Sequence, residues 1–199
     1  MTFIDIGIDI NIVEALARIG IKTPTPVQAT SIGKILDGQN LIIESNTGTG
    51  KTLAFLVPLI NRIYLGQLDK VLVLAPTREL VIQIGNEAQS IADKLDRDIS
   101  VLSVYGGRDI QSQIRKLKNT VNIIIATPGR LLDHINRKSI DISNVDCLVL
   151  DEADQMLLMG FRNEIDTIIR NIKNYDQLLF LSATVDPRSK SLPIDMQTH

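Results

Sequence analysis

The chain has no tryptophan, and only three tyrosines and four phenylalanines stand among its 199 residues. So few rings argue against a surface that binds by stacking successive planar groups. Its single cysteine, Cys147, excludes an internal disulfide framework. Lying in an apolar run that ends at Asp151, it reads as a small buried side chain, and no disulfide-linked partner is expected. The two histidines, His134 and His199, are far apart and give no metal cluster; His134, after Leu131-Leu132-Asp133, reads as a surface or half-buried helix residue. Every long apolar stretch is interrupted within a few residues by Asp, Lys, Pro or Gly, so no membrane span is expected. Met1 to Asp5 lacks the basic start of a secretory signal, and the expected location is cytoplasmic. Charge of one sign is missing too. With 21 basic against 23 acidic residues, the net charge of −2 gives no global pull on a polyanion, so any such surface must be a local patch.

What is present is an alternation. Short β-branched runs at Leu41–Glu44, Val71–Ala75, Ser100–Val104, Val121–Ala126, Cys147–Asp151 and Leu178–Leu181 read as six strands. Between them, about Lys51–Ile63, Glu79–Leu95, Ile110–Lys118, Gly129–Ile135 and Phe161–Ile172, apolar residues recur at helical spacing. Upstream, Asn11 and Glu14 suggest a capping box for a helix carrying Ile12, Leu16 and Ile19, and Gln28–Leu36 resumes as a second helix. Strands apolar on both faces and joined by helices predict an α/β fold with a mostly parallel central sheet covered by helices on both faces. Its ligand loops then gather at the carboxyl ends of the strands. A 44% hydrophobic content suits one core, so residues 1–199 read as a single domain, with 1–38 as N-terminal helices and 186–199 as a tail leading toward something absent.

The run Ser45-Asn46-Thr47-Gly48-Thr49-Gly50-Lys51-Thr52 follows the first strand and opens a helix. That context makes it a phosphate cradle. Gly48 and Gly50 let the backbone turn its amides inward, Lys51 reaches terminal phosphates and Thr52 can ligate magnesium. The generic pattern begins with glycine, and here Ser45 takes that place.

Val149-Leu150-Asp151-Glu152-Ala153-Asp154 puts three carboxylates in four residues at a strand end. Alone, such a cluster is equally a solvated helix start. Beside Lys51 and Thr52 it reads as a metal and water site, with Asp151 holding magnesium and Glu152 orienting and deprotonating the attacking water. Ser182-Ala183-Thr184 ends another strand and is either a helix cap or, if that strand lies beside the acidic one, a hydroxyl pair for Asp154. Pro76-Thr77-Arg78, Gly106-Gly107-Arg108 and Thr127-Pro128-Gly129-Arg130 each follow a strand and open toward a helix. Each is ordinary turn chemistry alone, but three in succession suggest a track for backbone phosphates.

Taken together with Gly20 to Gln28 and the literal Asp-Glu-Ala-Asp at 151 to 154, these pieces resemble the N-terminal RecA-like domain of a DEAD-box RNA helicase over nearly the whole chain. That family generally has alanine at the position of Ser45. The resemblance implies a RecA-like P-loop domain using ATP and Mg2+. It implies that Gln28 reads the adenine edge, with Lys22 and Thr23 nearby and Phe3 packing on the base. It further implies Glu152 as general base; Thr77, Arg78, Gly107, Thr127 and Arg130 on the RNA sugar-phosphate backbone; and Gly106 and Gly129 shaping those loops. Single-stranded or duplex RNA and a second RecA-like domain, absent from this sequence, are the implied partners. Leu158 stands where relatives commonly have Asp, which puts a local polar contact in doubt. Two rival readings stay open: a DNA-dependent translocase or helicase, and an ATP-responsive RNA-binding scaffold without turnover.

Overall fold

The computed structural model describes residues 1–44, 48–117 and 119–183. Ser45, Asn46, Thr47, Thr184 and the tail with His199 lie outside the described residues. After a 3-10 turn at Ile4–Ile6 come α1 (Ile10–Arg18), α2 (Pro26–Leu36), β1 (Leu41–Glu44), α3 (Lys51–Tyr64), β2 (Val71–Leu74) and α4 (Arg78–Ala92). The chain continues through β3 (Val101–Val104), α5 (Ile110–Leu117), β4 (Ile123–Ala126), α6 (Pro128–Asn136), β5 (Cys147–Leu150), α7 (Ala153–Leu158), α8 (Arg162–Asn171) and β6 (Gln177–Ser182).

The six strands form one sheet in the order β1-β6-β5-β2-β4-β3, and every pairing is parallel. Alternation along each strand sorts the core into two layers. Val71, Val73, Ile123, Ile125, Cys147, Val149, Leu179 and Leu181 meet residues of α1 to α4 on one face. Leu72, Leu74, Ile124, Leu148, Leu150, Leu178 and Phe180 meet Leu131, Met156, Ile165 and Ile168 on the other. Helices therefore cover both faces, as the two-sided apolarity of the strands predicts.

Two local readings change. The first long helix is capped by Asp9, whose side chain accepts from the Asn11 amide, so Asn11 lies inside the helix. Helix α7 has no counterpart in the sequence reading: it is little more than one and a half turns long and follows Glu152, not a usual capping residue.

Because all six strands run the same way, their carboxyl ends form a single edge. Glu44 pairs with Ser182, Leu150 with Leu74, and Leu74 and Val104 both with Ala126. The strand order then divides the motif loops: those after β1, β6 and β5 occupy one end of the edge, and those after β2, β4 and β3 the other.

Candidate nucleotide and backbone-phosphate sites

At the β1/β6/β5 end, Gly50 turns the chain into α3 with a φ of 91°, a backbone shape that L side chains rarely adopt. A Cβ there would lie 2.6 Å from Gln28 Nε2, so a side chain at this position would also displace the Gln28 amide. Lys51, the first residue of α3, is only 8% exposed, and its Nζ has no hydrogen-bond partner among the described residues. A buried ammonium without a partner is costly and marks a place where an anion belongs.

Facing the same cavity of about 480 Å³ are Gly48, Thr52, Asp151 and Glu152. Asp151 is 3% exposed, and its carboxylate accepts from the Glu152 amide at 2.9 Å. Burial, reinforced by the Glu152 charge and opposed by Lys51, pushes its pKa up to about 6. Glu152 adopts a left-handed conformation, φ 49° and ψ 48°, uncommon for a residue with a side chain. It breaks β5 from α7 and leaves its own carboxylate half-buried while Asp151 is enclosed. A cation without a hydrogen-bond partner among the described residues and a buried carboxyl pushed toward protonation, in one cavity, fit a ligand that carries both signs. Magnesium-bound triphosphate has that character: Gly48, Gly50 and Lys51 suit the phosphates, Thr52 and Asp151 the metal.

The expected adenine-facing residues sit differently from one another. Lys22 and Thr23 are exposed. Gln28 is 2% exposed with both ends of its amide engaged, Oε1 accepting from the Thr25 amide and Nε2 donating to the Gly50 carbonyl, each at 3.0 Å. To meet a base edge it must exchange at least one of those bonds. In this conformation it ties α2 to the turn before Lys51. Phe3 has no exposed surface and packs in the layer with Ile8, Ile12 and Ile32, so its ring is not open to a base here. Strand β6 does lie beside β5, as a role for Ser182 near Asp154 required; both are buried, and Asp154 Oδ1 accepts from the Gln155 amide. Thr49 is partly buried beside Gly50, and Leu158 is exposed.

At the β2/β4/β3 end the arginines are organised around one ring. Tyr105, directly after β3 and 2% exposed, carries over its ring the guanidinium groups of Arg78, 5.4 Å from its centroid, and Arg108, at 5.3 Å. Gly107 has a φ of 81°, and a Cβ there would lie 3.0 Å from Arg78 Nη1. Arg130 donates from Nη1 to the Arg108 carbonyl at 3.2 Å. Thr77 caps α4, its hydroxyl oxygen accepting from the Leu80 amide, while Thr127 precedes Pro128 at the start of α6. Pro76 is buried; Gly106 and Gly129 are exposed. Three cationic side chains and two helix N-termini thus share one surface, and among the described residues none of the three arginines forms an ion pair.

Sequence reasoning missed Tyr105, Gln113 and the burial of His134, which has no exposed surface, contrary to the surface or half-buried placement expected for it. Gln113 carried a signal: it is a polar residue at helical spacing within the apolar stripe of Ile110, Ile114 and Leu117. Another cavity, of about 820 Å³, lies at the amino edge of the sheet between Lys70, Asn122, Lys138 and Asp141 and holds none of the motif residues. Among the described residues no helix is long and apolar enough to cross a membrane.

A family model described as DEAD/DEAH box helicase matches residues 25–192. The chain is 45% identical over 187 residues to an ATP-dependent RNA helicase CshA of Listeria monocytogenes, covering 93% of this chain and 36% of that protein. It is also 45% identical to a DEAD-box ATP-dependent RNA helicase CshA of Bacillus subtilis, of which it spans 37%. Its fold superposes with a TM-score of 0.88, at 35% identity, on a DEAD box protein from the hyperthermophile Methanococcus jannaschii, covering 96% of this chain and 52% of that one. The chain thus spans little more than a third of the relatives it matches in sequence and about half of that structural neighbour.

Proposed function

The chain belongs to the DEAD/DEAH box helicase family, and we propose that it is the ATP- and RNA-binding half of an RNA-dependent ATPase that separates short RNA duplexes when joined to a second RecA-like domain. The observation that carries this reading is the buried Lys51 Nζ, without a hydrogen-bond partner among the described residues, facing the same cavity as Asp151. A triphosphate supplies the missing anion, and a magnesium ion would neutralise Asp151 while polarising the terminal phosphoryl group.

The chain's own groups then divide the work. Gly48, Gly50 and the N-terminus of α3 direct amides at the phosphates, and Lys51 balances their charge. Glu152 holds a water and takes its proton as the water oxygen bonds to the terminal phosphorus and the bridging P–O bond breaks. Gln28 selects adenine by offering one donor and one acceptor, after releasing its contacts at the phosphate loop. Asp154, Ser182 and Thr184 link this chemistry to the neighbouring strand.

At the other end of the edge, Arg78, Arg108 and Arg130, with amides at Thr77, Gly107 and Thr127, bind the sugar-phosphate backbone and bend one strand as the two domains close. Closure couples the ligands because each occupies one half of the same cleft. This half alone binds adenine nucleotide weakly and hydrolyses it slowly, since the cations that stabilise the transition-state charge from the second domain are missing. The test is phosphate release by the two-domain parent with matched RNA and DNA oligonucleotides. RNA stimulation that exceeds DNA stimulation supports the reading. Equal or greater stimulation by DNA, or no release above that of a Lys51→Ala variant, contradicts it.

A further inference from the structure

We propose that His134 is a positioning residue for RNA, acting through Gln113 to fix the Tyr105 hub on which the backbone-binding arginines are laid. The inference rests on the reading of the β2/β4/β3 end as an RNA-backbone site.

The contacts close into a ring. The fully buried His134 places Nε2 2.8 Å from Gln113 Oε1. Gln113, 3% exposed, donates from Nε2 to the Tyr105 carbonyl at 3.0 Å. The Tyr105 ring carries Arg78 and Arg108, and the Arg108 carbonyl accepts from Arg130. Arg130 lies four residues before His134, on the same face of α6. The chain of bonds leaving α6 at His134 thus returns to it at Arg130.

The hydrogen-bond directions follow from elimination. A backbone carbonyl only accepts, so the amide nitrogen of Gln113 faces Tyr105 and its oxygen faces the histidine. Nε2 must therefore carry a proton. Nδ1 lies 2.8 Å from Ser139 Oγ, whose one proton also has the His134 carbonyl in reach at 3.1 Å, so a neutral ring has the serine hydroxyl turned to Nδ1. Burial and the Arg130 charge hold the pKa of His134 below its usual value, which favours that neutral ring, with Gln113 Oε1 placing its proton on Nε2. An apolar side chain at 134 would leave Gln113 Oε1 buried without a donor. The amide would then turn, the Tyr105 carbonyl would lose its partner, and the strand exit that leads into Gly106 and Gly107 would relax. The phosphate cradle at the opposite end of the sheet shares none of these bonds.

The test compares His134→Leu, His134→Gln and Gln113→Met, with Arg78→Ala as a control on the underlying site. Binding of a fluorescein-labelled oligouridylate is measured by anisotropy, and binding of magnesium ATP by calorimetry. His134→Leu and Gln113→Met are expected to weaken RNA binding by about tenfold, with nucleotide affinity held within about twofold. Glutamine at 134 can donate from nearly the place of Nε2 and is expected to recover RNA affinity to within about threefold of the parent. Nitrogen NMR of the unaltered chain should show His134 as the Nε2–H tautomer. RNA affinity unchanged in both His134→Leu and Gln113→Met while Arg78→Ala weakens it overturns the positioning role alone. Arg78→Ala with no effect overturns the site reading on which it rests. Parallel loss of RNA and nucleotide binding, or an Nδ1–H tautomer, also overturns the proposal. Should His134→Leu fail to fold, Gln113→Met decides, because it leaves the histidine packing in place.

Discussion

The two ends of the sheet's carboxyl edge are built on opposite electrostatic terms. At the β1/β6/β5 end charges are enclosed and only partly compensated: Lys51 Nζ lacks a hydrogen-bond partner among the described residues, Asp151 is driven up to about 6, and Glu152 holds a left-handed backbone. At the β2/β4/β3 end the charges are exposed or half-buried and internally supported, with two guanidinium groups on one ring and a third bonded to a carbonyl. The difference suits the proposed ligands. A small metal-bound polyanion can be wrapped and desolvated, so unmet charge within the protein becomes binding energy. A polymer backbone stays in water and moves through, so its site needs orientation more than burial.

The largest effect that sharpens this contrast is on turnover. In the two-domain protein, Glu152→Gln should lower ATP hydrolysis by about a hundredfold or more and leave ATP affinity nearly unchanged. Steady-state phosphate release checks it, and undiminished turnover removes Glu152 as the base.

Next come the arginines. Arg78→Ala and Arg130→Ala should each weaken RNA binding by about three- to tenfold and make its salt dependence shallower by about one charge, without touching nucleotide affinity. Binding isotherms across a salt series measure both quantities. A matching fall in ATP affinity would erase the division between the two ends.

A smaller effect concerns stability. Asp151 has a folded pKa above its ordinary 3.8, so its favourable contribution is full below that value and is lost as pH rises through about 6. Asp151→Asn should therefore stabilise the nucleotide-free chain by about 1–3 kcal/mol above pH 6 and not at all below pH 4. Thermal unfolding across that range decides it.

The smallest effect has the opposite sign. His134, whose ring is faced by Arg130, Asp133 and Arg137, has a folded pKa below its ordinary 6.5. Its contribution is present above pH 6.5 and lost as pH falls through the lowered folded value. His134→Gln should make the acid-side decline of the melting temperature less steep. An unchanged slope would show that the histidine is not held neutral.

Much of this was legible in the amino acids. Unbroken β-branched and apolar runs such as Val71-Leu72-Val73-Leu74, alternating with segments of helical spacing, read as strands buried on both sides and covered by helices on both faces. Strand order was not legible, because periodicity says which face a residue takes and nothing about which strand lies beside it. The division of the edge into two ends, and the adjacency of Ser182 to the acidic strand, follow from that order. Helix α7 was hidden by its shortness and by Glu152 standing where a capping residue is usual. Lys51, Asp151 and Glu152 declared themselves by residue type and spacing. Gln113 showed only as a polar residue in an apolar stripe, and Tyr105 and His134 not at all, because their roles depend on contacts fixed by tertiary packing. Gln28 and Phe3 are the reverse case: the family resemblance names a ligand-facing role, while packing here engages one with Gly50 and encloses the other.

Calorimetric titration of the chain with magnesium ATP, run in parallel with Lys51→Ala, tests the central claim most directly. The account predicts saturable binding by the parent and affinity at least about tenfold weaker in the variant, since the lost contact is charge-assisted and desolvated. Absence of saturable heat with the parent, or equal affinity in the two proteins, would contradict it.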